Sequence, residues 1–177
     1  MIPKIEEIPR RVTSWLHPKV ELRESPVEGY GLFAADDIRK GEYVSVFGGK
    51  VYTSKEIADL SNSSYIANGS TQLDNDFWLG SISENAYEWG FHINHSCSPN
   101  TKIWRSVFLV AIKTIKKDEE VTFDYAHSHN KCLNFKCRCG SKDCRKFISN
   151  KDYLDNTFYT KNKIHIVRWM KDLAKKI

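Results

Sequence analysis

Phe91-His-Ile-Asn-His-Ser-Cys-Ser-Pro-Asn100 sets two amides, two imidazoles, two hydroxyls, a thiol and a proline around Ile93. The thiol, Cys97, has candidate partners far downstream at Cys137, Cys139 and Cys144. Between them lies an aromatic-rich strand candidate, Val121-Thr-Phe-Asp-Tyr125. The reading that makes sense of all three is that they fold onto one another and build a single site.

Upstream, short apolar stretches alternate with glycine turns. Val20-Glu-Leu-Arg23 alternates as a half-buried strand does. A turn then carries Gly29 and Gly31 on either side of Tyr30, where glycine permits positive φ or a close approach. Tyr43–Phe47, Lys50–Tyr52 and Phe77–Leu79 read as further strands. Thr53-Ser-Lys-Glu56 is a capping-box pattern that starts a short helix with Ile57 and Leu60 on its inner face. Downstream, Val107-Phe-Leu-Val-Ala-Ile112 is a fully buried strand. Ala126–Asn134 reads as a polar linker in which His127 and His129 are solvated. From Asn162, the spacing of Ile164, Val167, Met170 (or Trp169), Leu173 and Ile177 predicts one amphipathic terminal helix packed on the body. Many short strands and few helices make a mostly β architecture.

Bulk properties narrow the function classes. The chain has 177 residues, 41% of them hydrophobic, as expected of one globular domain with its own core. No apolar run approaches the roughly 18 residues of a membrane span. The N-terminus lacks the apolar centre of a signal peptide. The expectation is therefore an intracellular protein, cytoplasmic in a bacterium and nuclear in a eukaryote. The net charge of +5 is scattered apart from 136–146 and the last ten residues, which reads as a solvated surface. The basic cysteine loop has no interleaved aromatics for base stacking, so direct nucleic-acid binding is disfavoured.

Four of the five cysteines crowd between Cys132 and Cys144, the density of a metal site in a reducing compartment. Cys137-Arg-Cys139-Gly-Ser-Lys-Asp-Cys144 puts three thiolates on a tight loop reversed at Gly140. Tetrahedral zinc wants four ligands. On spacing, the fourth is Cys132, Cys97 or a nearby histidine. The flanking Lys136, Arg138, Lys142, Arg145 and Lys146 would offset the thiolate charge.

Asn94-His-Ser-Cys-Ser-Pro-Asn100, Glu120-Val-Thr-Phe-Asp-Tyr125 and the cysteine tail, in that order, resemble SET-domain protein lysine methyltransferases with a post-SET zinc segment. Glu28-Gly-Tyr-Gly-Leu-Phe-Ala34 followed by Ile38-Arg-Lys-Gly-Glu42 looks like that family's opening motif. The resemblance covers roughly residues 19–148, and no pre-SET region precedes it, as in compact stand-alone members found in bacteria. It implies a SET fold of small curved sheets whose C-terminal segment threads a loop as a pseudoknot. Residues 1–18 would form a lead-in, 19–126 the SET domain, 127–148 the zinc segment and 149–177 a helical extension.

Several roles follow from the resemblance. Cys97, Cys137, Cys139 and Cys144 become ligands of a structural Zn²⁺, leaving Cys132 over. S-adenosylmethionine would be bound by Gly29, Tyr30, Gly31, Asn94 and His95. Tyr125 matches the catalytic tyrosine, and Phe123 the position that sets how many methyls fit, here two or three. Phe123, Phe91 and Trp78 would line the substrate-lysine channel. The implied partner is a protein or peptide, a histone tail among the candidates, with the oligomeric state open. Three positions depart from the family pattern: His92 before Ile-Asn-His, Phe47-Gly-Gly-Lys50 where relatives have Tyr-x-Gly-Glu, and Asp118 in place of a turn glycine. The pocket's second tyrosine has no clear counterpart, Tyr65 being off register. A competing reading is a catalytically weak, zinc-stabilised peptide-binding module.

Overall fold

The computed structural model describes residues 14–60, 66, 69–82, 92–131 and 133–176. The sequence readings on Phe91, Tyr65 and Cys132 lie outside the described residues. Strands β1 (Trp15–Leu16), β2 (Val20–Glu24), β3 (Tyr30–Ala34), β4 (Tyr43–Val46) and β5 (Lys50–Thr53) come first. Helix α1 (Ser54–Asp59), β6 (Thr71–Gln72) and β7 (Phe77–Gly80) follow. The chain continues through β8 (Asn94–His95), β9 (Thr101–Trp104), β10 (Phe108–Ala111) and β11 (Thr122–Phe123) to a 3₁₀ turn, Tyr125–His127. Then come β12 (Asn134–Lys136), β13 (Phe147–Ser149), a second 3₁₀ turn at Asp152–Leu154, α2 (Asn156–Asn162) and α3 (Arg168–Ala174). The mostly β expectation holds. Among the described residues no helix is long and apolar enough to cross a membrane.

The strands form small separate sheets: β1-β4-β10-β9, β5-β7-β6, and the pairs β2-β3, β8-β11 and β12-β13. β10 lies at the centre of the largest, where the apolar run predicted it, with Leu109 fully buried. The capping box forms as its residues predict. Thr53 Oγ1 accepts from the Glu56 amide at 3.2 Å, and Glu56 Oε2 accepts from the Thr53 amide at 2.7 Å. Asp118 takes φ +66°, the left-handed conformation that aspartate tolerates better than most side chains, which explains how it stands in for glycine. It is also held from outside, by Arg23 Nη1 at 2.8 Å.

β11 joins β8 in a two-residue parallel pair, Thr122↔Asn94 and Phe123↔His95. The segment leading into it is clamped on both sides. On one flank the Val121 amide donates to the Leu32 carbonyl at 2.7 Å and the Ala34 amide to the Glu119 carbonyl at 3.0 Å. On the other, Asn100 Nδ2 donates to the Glu120 carbonyl at 2.7 Å, and Asn100 Oδ1 accepts from the Thr122 amide at 2.9 Å. Thr101 Oγ1 closes the clamp on the Thr122 carbonyl. Residues 119–123 are thus hydrogen-bonded on both flanks by chain segments remote in sequence.

Two expectations about the C-terminal third are corrected. The tail is two short helices, because α2 ends at Asn162 and Val167 is extended as the N-cap of α3. The intervening Ile-His-Ile-Val run is β-branched and weakly helical. Ile164 is consequently 69% exposed, whereas Ile166, Val167 and Met170 are buried. His127 and His129 are also buried rather than solvated. The returning tail covers His127: its ring lies against Phe158 and His165, and its carbonyl accepts from the Val167 amide at 2.9 Å. The His129 ring sits between Trp78 and the Phe123–Tyr125 pair.

Burial pushes both rings down to about 4 from 6.5. The unfolded chain therefore binds more protons than the folded one between those values. Stability is complete above the unfolded pKa and is lost as pH falls towards the folded one. By pH 5 each ring is expected to cost about 2 kcal/mol relative to pH 7.5. Urea midpoints measured across that range should fall accordingly, and His129→Gln should flatten the slope.

Candidate functional site

A cavity of about 490 Å³, of a size that suits a small-molecule ligand, lies where β8, the β2–β3 turn and the cysteine segment meet. Asn94, His95 and Tyr125 form one wall, Val27 and Glu28 a second, and Phe135 to Cys139 a third. A carboxylate on one side and Lys136 and Arg138 on the other suit a zwitterionic ligand.

Tyr125 opens the 3₁₀ turn that follows β11. Its hydroxyl donates to the Ile93 carbonyl at 2.8 Å, and its ring packs 4.8 Å from Phe123 and 5.2 Å from His95 between centroids. Burial, with the Glu28 and Glu120 carboxylates adding to it, pushes this phenol well above its ordinary range, so it stays a proton donor.

The Asn94 amide is oriented by its surroundings. Nδ2 faces three oxygens, the carbonyls of Glu28 and Tyr30 at 3.2 Å and Glu120 Oε1 at 2.7 Å, so the nitrogen is the atom that fits there. The carbonyl oxygen is left to accept from a ligand. Gly31 makes the Glu120 contact possible, since a Cβ there would stand 2.2 Å from Glu120 Oε1 and 3.0 Å from Asn94 Nδ2. Gly29 supplies φ +51° for the turn. Of Tyr30, the backbone carbonyl serves the site while the side chain is 51% exposed. Gly31→Ala is expected to push Glu120 off both Ser25 and Asn94 and to destabilise the fold by about 1–3 kcal/mol. The Asn94 amide would then lose the shortest of its three anchors and keep only the two carbonyls at 3.2 Å, so ligand affinity at the cavity should fall more than the thermal midpoint does.

The cysteine prediction is tested most directly by distance. Cys97 Sγ lies 3.8 Å from Cys137 Sγ, and the Cys97 amide donates to Cys139 Sγ at 3.5 Å. The Cys144 thiol donates to the Cys137 carbonyl at 3.8 Å. The Arg145 and Lys146 amides point at the sulfurs of Cys97 and Cys144, both at 3.4 Å. Burial raises the Cys97 thiol and pushes Cys137 up to about 11; at Cys139 burial is outweighed by the Cys97 amide and Ser141, which draw it down to about 6. Thiolates this close repel one another, and a soft cation between them is what lets all ionise together.

Among the described residues, His95, Cys97, Cys137 and Cys139 form a donor group with every ligand atom within 4.8 Å of the others, with His95 rather than Cys144. The histidine is better read as a neighbour than as a ligand. Its Nδ1 accepts from the Tyr125 amide at 3.3 Å, which leaves the proton of the neutral ring on Nε2, 3.3 Å from Cys97 Sγ. That nitrogen then donates to sulfur. Burial holds the ring neutral, down to about 4.

Two predicted channel residues stand elsewhere than on this cavity's wall. Phe123 is buried behind Tyr125. Trp78 belongs to a satellite core with Tyr52, Ile57 and Ile66, its Nε1 donating to Ser54 Oγ at 3.2 Å. Phe135 and Glu120 went unpredicted. Glu120 stands inside a recognised motif, but its contact with Gly31 spans 89 positions of sequence.

The SET-domain family model matches residues 29–126, more than half of the chain. The chain is 33% identical to the histone-lysine N-methyltransferase Su(var)3-9 of Drosophila melanogaster, over 74% of this chain and 25% of that protein. It is 28% identical to the H3 lysine-36 specific histone-lysine N-methyltransferase of Candida albicans, over 78% of this chain and 18% of that one. It therefore spans about a quarter or less of the length of these relatives. Among solved structures, the methyltransferase domain of human SETMAR superposes with a TM-score of 0.56 at 24% identity, covering 75% of this chain and 58% of that one. KRYPTONITE, in its complex with mCHG DNA and SAH, gives 0.58 at 24% identity, covering 75% and 29%.

Proposed function

Because the chain belongs to the SET-domain family, we propose that it transfers methyl groups from S-adenosylmethionine to the side-chain amine of a lysine in a protein substrate. The observation that carries this reading is the protonated Tyr125 hydroxyl, held on the Ile93 carbonyl beside Asn94 and His95 in a cavity of cofactor size. The histone-lysine methyltransferases among its relatives make a basic protein such as a histone the first substrate class to try.

Bound S-adenosylmethionine supplies an electrophilic methyl on a sulfonium. The protein binds, orients and desolvates. The Asn94 carbonyl oxygen and Glu28 would hold the ammonium group of the cofactor, and Lys136 or Arg138 its carboxylate. The substrate amine must be neutral to attack. With an ordinary pKa near 10.4, about one lysine in a thousand is neutral near pH 7.4, a penalty of roughly 4 kcal/mol. Aromatic walls disfavour the ammonium and reduce that penalty. The Tyr125 hydroxyl and the Ile93 carbonyl place the amine in line with the methyl. The new N–C bond forms as the C–S bond breaks, and the surplus amine proton leaves to water. Phe123 has no hydroxyl to retain a water beside the amine, which favours two or three methyls. Cys97, Cys137, Cys139 and Cys144 would hold a Zn²⁺ whose work is structural, fastening the third wall of the cavity.

Calorimetry with S-adenosylhomocysteine, then mass spectrometry of histones and a peptide array incubated with S-adenosylmethionine, tests the proposal. Saturable binding with mass gains of 14 Da on lysine is expected. Absence of binding would instead favour a peptide-binding module built on the same scaffold.

A further inference from the structure

Arg145 follows the last cysteine of the cluster, yet its guanidinium points away from it. Nη1 and Nη2 donate to the two carboxylate oxygens of Asp124 at 2.5 and 2.8 Å, a bidentate pair. Nε lies 3.2 Å from Asp152 Oδ2, and the guanidinium sits 4.7 Å from the centre of the Phe158 ring. Its backbone amide meanwhile donates to Cys97 Sγ. One residue thus touches the cysteine cluster, the C-terminal helices and the residue immediately before Tyr125.

Asp124 is 1% exposed and caps the Tyr125 turn, accepting from the Ala126 amide at 3.1 Å. His95 Nδ1 at 3.7 Å and His127 Nε2 at 3.8 Å flank it beyond hydrogen-bond reach, whereas Arg145 meets both of its oxygens, so Arg145 is its close cationic partner among the described residues. A buried carboxylate deprived of its counter-charge does not stay where it is. It recruits water or a proton, and the turn that starts one residue later moves with it. Tyr125 is tied to that position twice, by its amide on His95 Nδ1 and its hydroxyl on the Ile93 carbonyl.

We propose that Arg145 is a positioning residue for methyl transfer: folding of the cysteine segment onto Cys97 delivers its guanidinium to Asp124, and that pair sets the turn that aims the Tyr125 hydroxyl. The inference rests on the methyltransferase reading for its catalytic consequence, but its geometric half does not. Misplacement by a fraction of an ångström costs rate while leaving affinity largely intact, because the cofactor contacts lie on other residues.

The tests use the full chain with its metal content measured. Arg145→Met is expected to lower kcat by about 30-fold or more, with KM for cofactor, zinc content and S-adenosylhomocysteine affinity each within about threefold of the parent protein. Arg145→Lys, which keeps the charge without the bidentate fork, should recover part of the loss. Asp124→Asn should lose as much as Arg145→Met, and the double variant no more than either. Independently of any activity, fluorotyrosine-labelled protein should show a single ¹⁹F line for Tyr125 that shifts or broadens in Arg145→Met and returns towards its position in Arg145→Lys. An unchanged Tyr125 line overturns the proposal even if the protein proves catalytically silent. So does kcat within threefold of the parent protein, or a loss matched by equal losses of zinc and cofactor affinity.

Discussion

Tyr125→Phe is expected to reduce kcat for methyl transfer by about 10²–10³-fold, equivalent to roughly 3–4 kcal/mol of transition-state stabilisation. The ring would remain packed against Phe123, His95 and Phe135, so the cavity keeps its shape and S-adenosylhomocysteine should bind almost as before. What is lost is one hydroxyl, and with it the donor on the Ile93 carbonyl, a change worth about 1 kcal/mol of fold stability. A large effect on rate, a small one on the thermal midpoint and almost none on ligand affinity is the signature of an orienting group. Burial also keeps this phenol protonated across the working range, so the rise of rate with pH should report the substrate amine and look alike in slope for parent and variant. Full activity in Tyr125→Phe would remove the residue from the mechanism.

Breaking the sulfur cluster is expected to cost the most stability. Cys137 is the centre of the group, its sulfur 3.8 Å from that of Cys97 and within 4.8 Å of that of Cys139, its carbonyl accepting from the Cys144 thiol. The same segment forms the third wall of the cavity and, through Arg145, grips Asp124. Structural zinc contributes on the order of 10 kcal/mol in small domains, so Cys137→Ser should remove about 5 kcal/mol or more. At this chain length that corresponds to a fall of about 10–20 °C in the thermal midpoint, together with loss of S-adenosylhomocysteine binding. A strong chelator should reproduce both effects in the parent protein. Metal analysis separates the two possible ligand sets. Cys144→Ser should lose bound zinc, whereas His95→Gln should keep one ion per chain, because the His95 proton faces the sulfur. Retention of zinc in Cys144→Ser and its loss in His95→Gln would reverse that assignment.

What could be read without coordinates was what neighbouring residues settle among themselves. Thr53 and Glu56 cap each other across three positions, and a helix starts there in any context that leaves them exposed. Cys137, Cys139 and Cys144 share one loop, so their convergence is a property of spacing. The apolar run of β10 has no stable alternative to burial. The motif order from Gly29 to Tyr125 was legible for a different reason, the likeness to a family.

Tertiary structure alone decided the rest, and in each case the reason is distance along the chain. His127 and His129 look solvated because their neighbours are polar; they are buried because Phe158 and His165, some thirty residues on, fold back over one and Trp78 closes over the other. Gly31 reads as a glycine for positive φ or a close approach, but that the approaching group is Glu120 only the fold decides. Arg145 reads as a charge offsetting thiolates, whereas its guanidinium belongs to Asp124. A local pattern fixes φ, ψ and which face is apolar. Which buried charge meets which, and whether a histidine sees water, is set by the closure of loops whose ends are remote, and that depends on the whole chain at once.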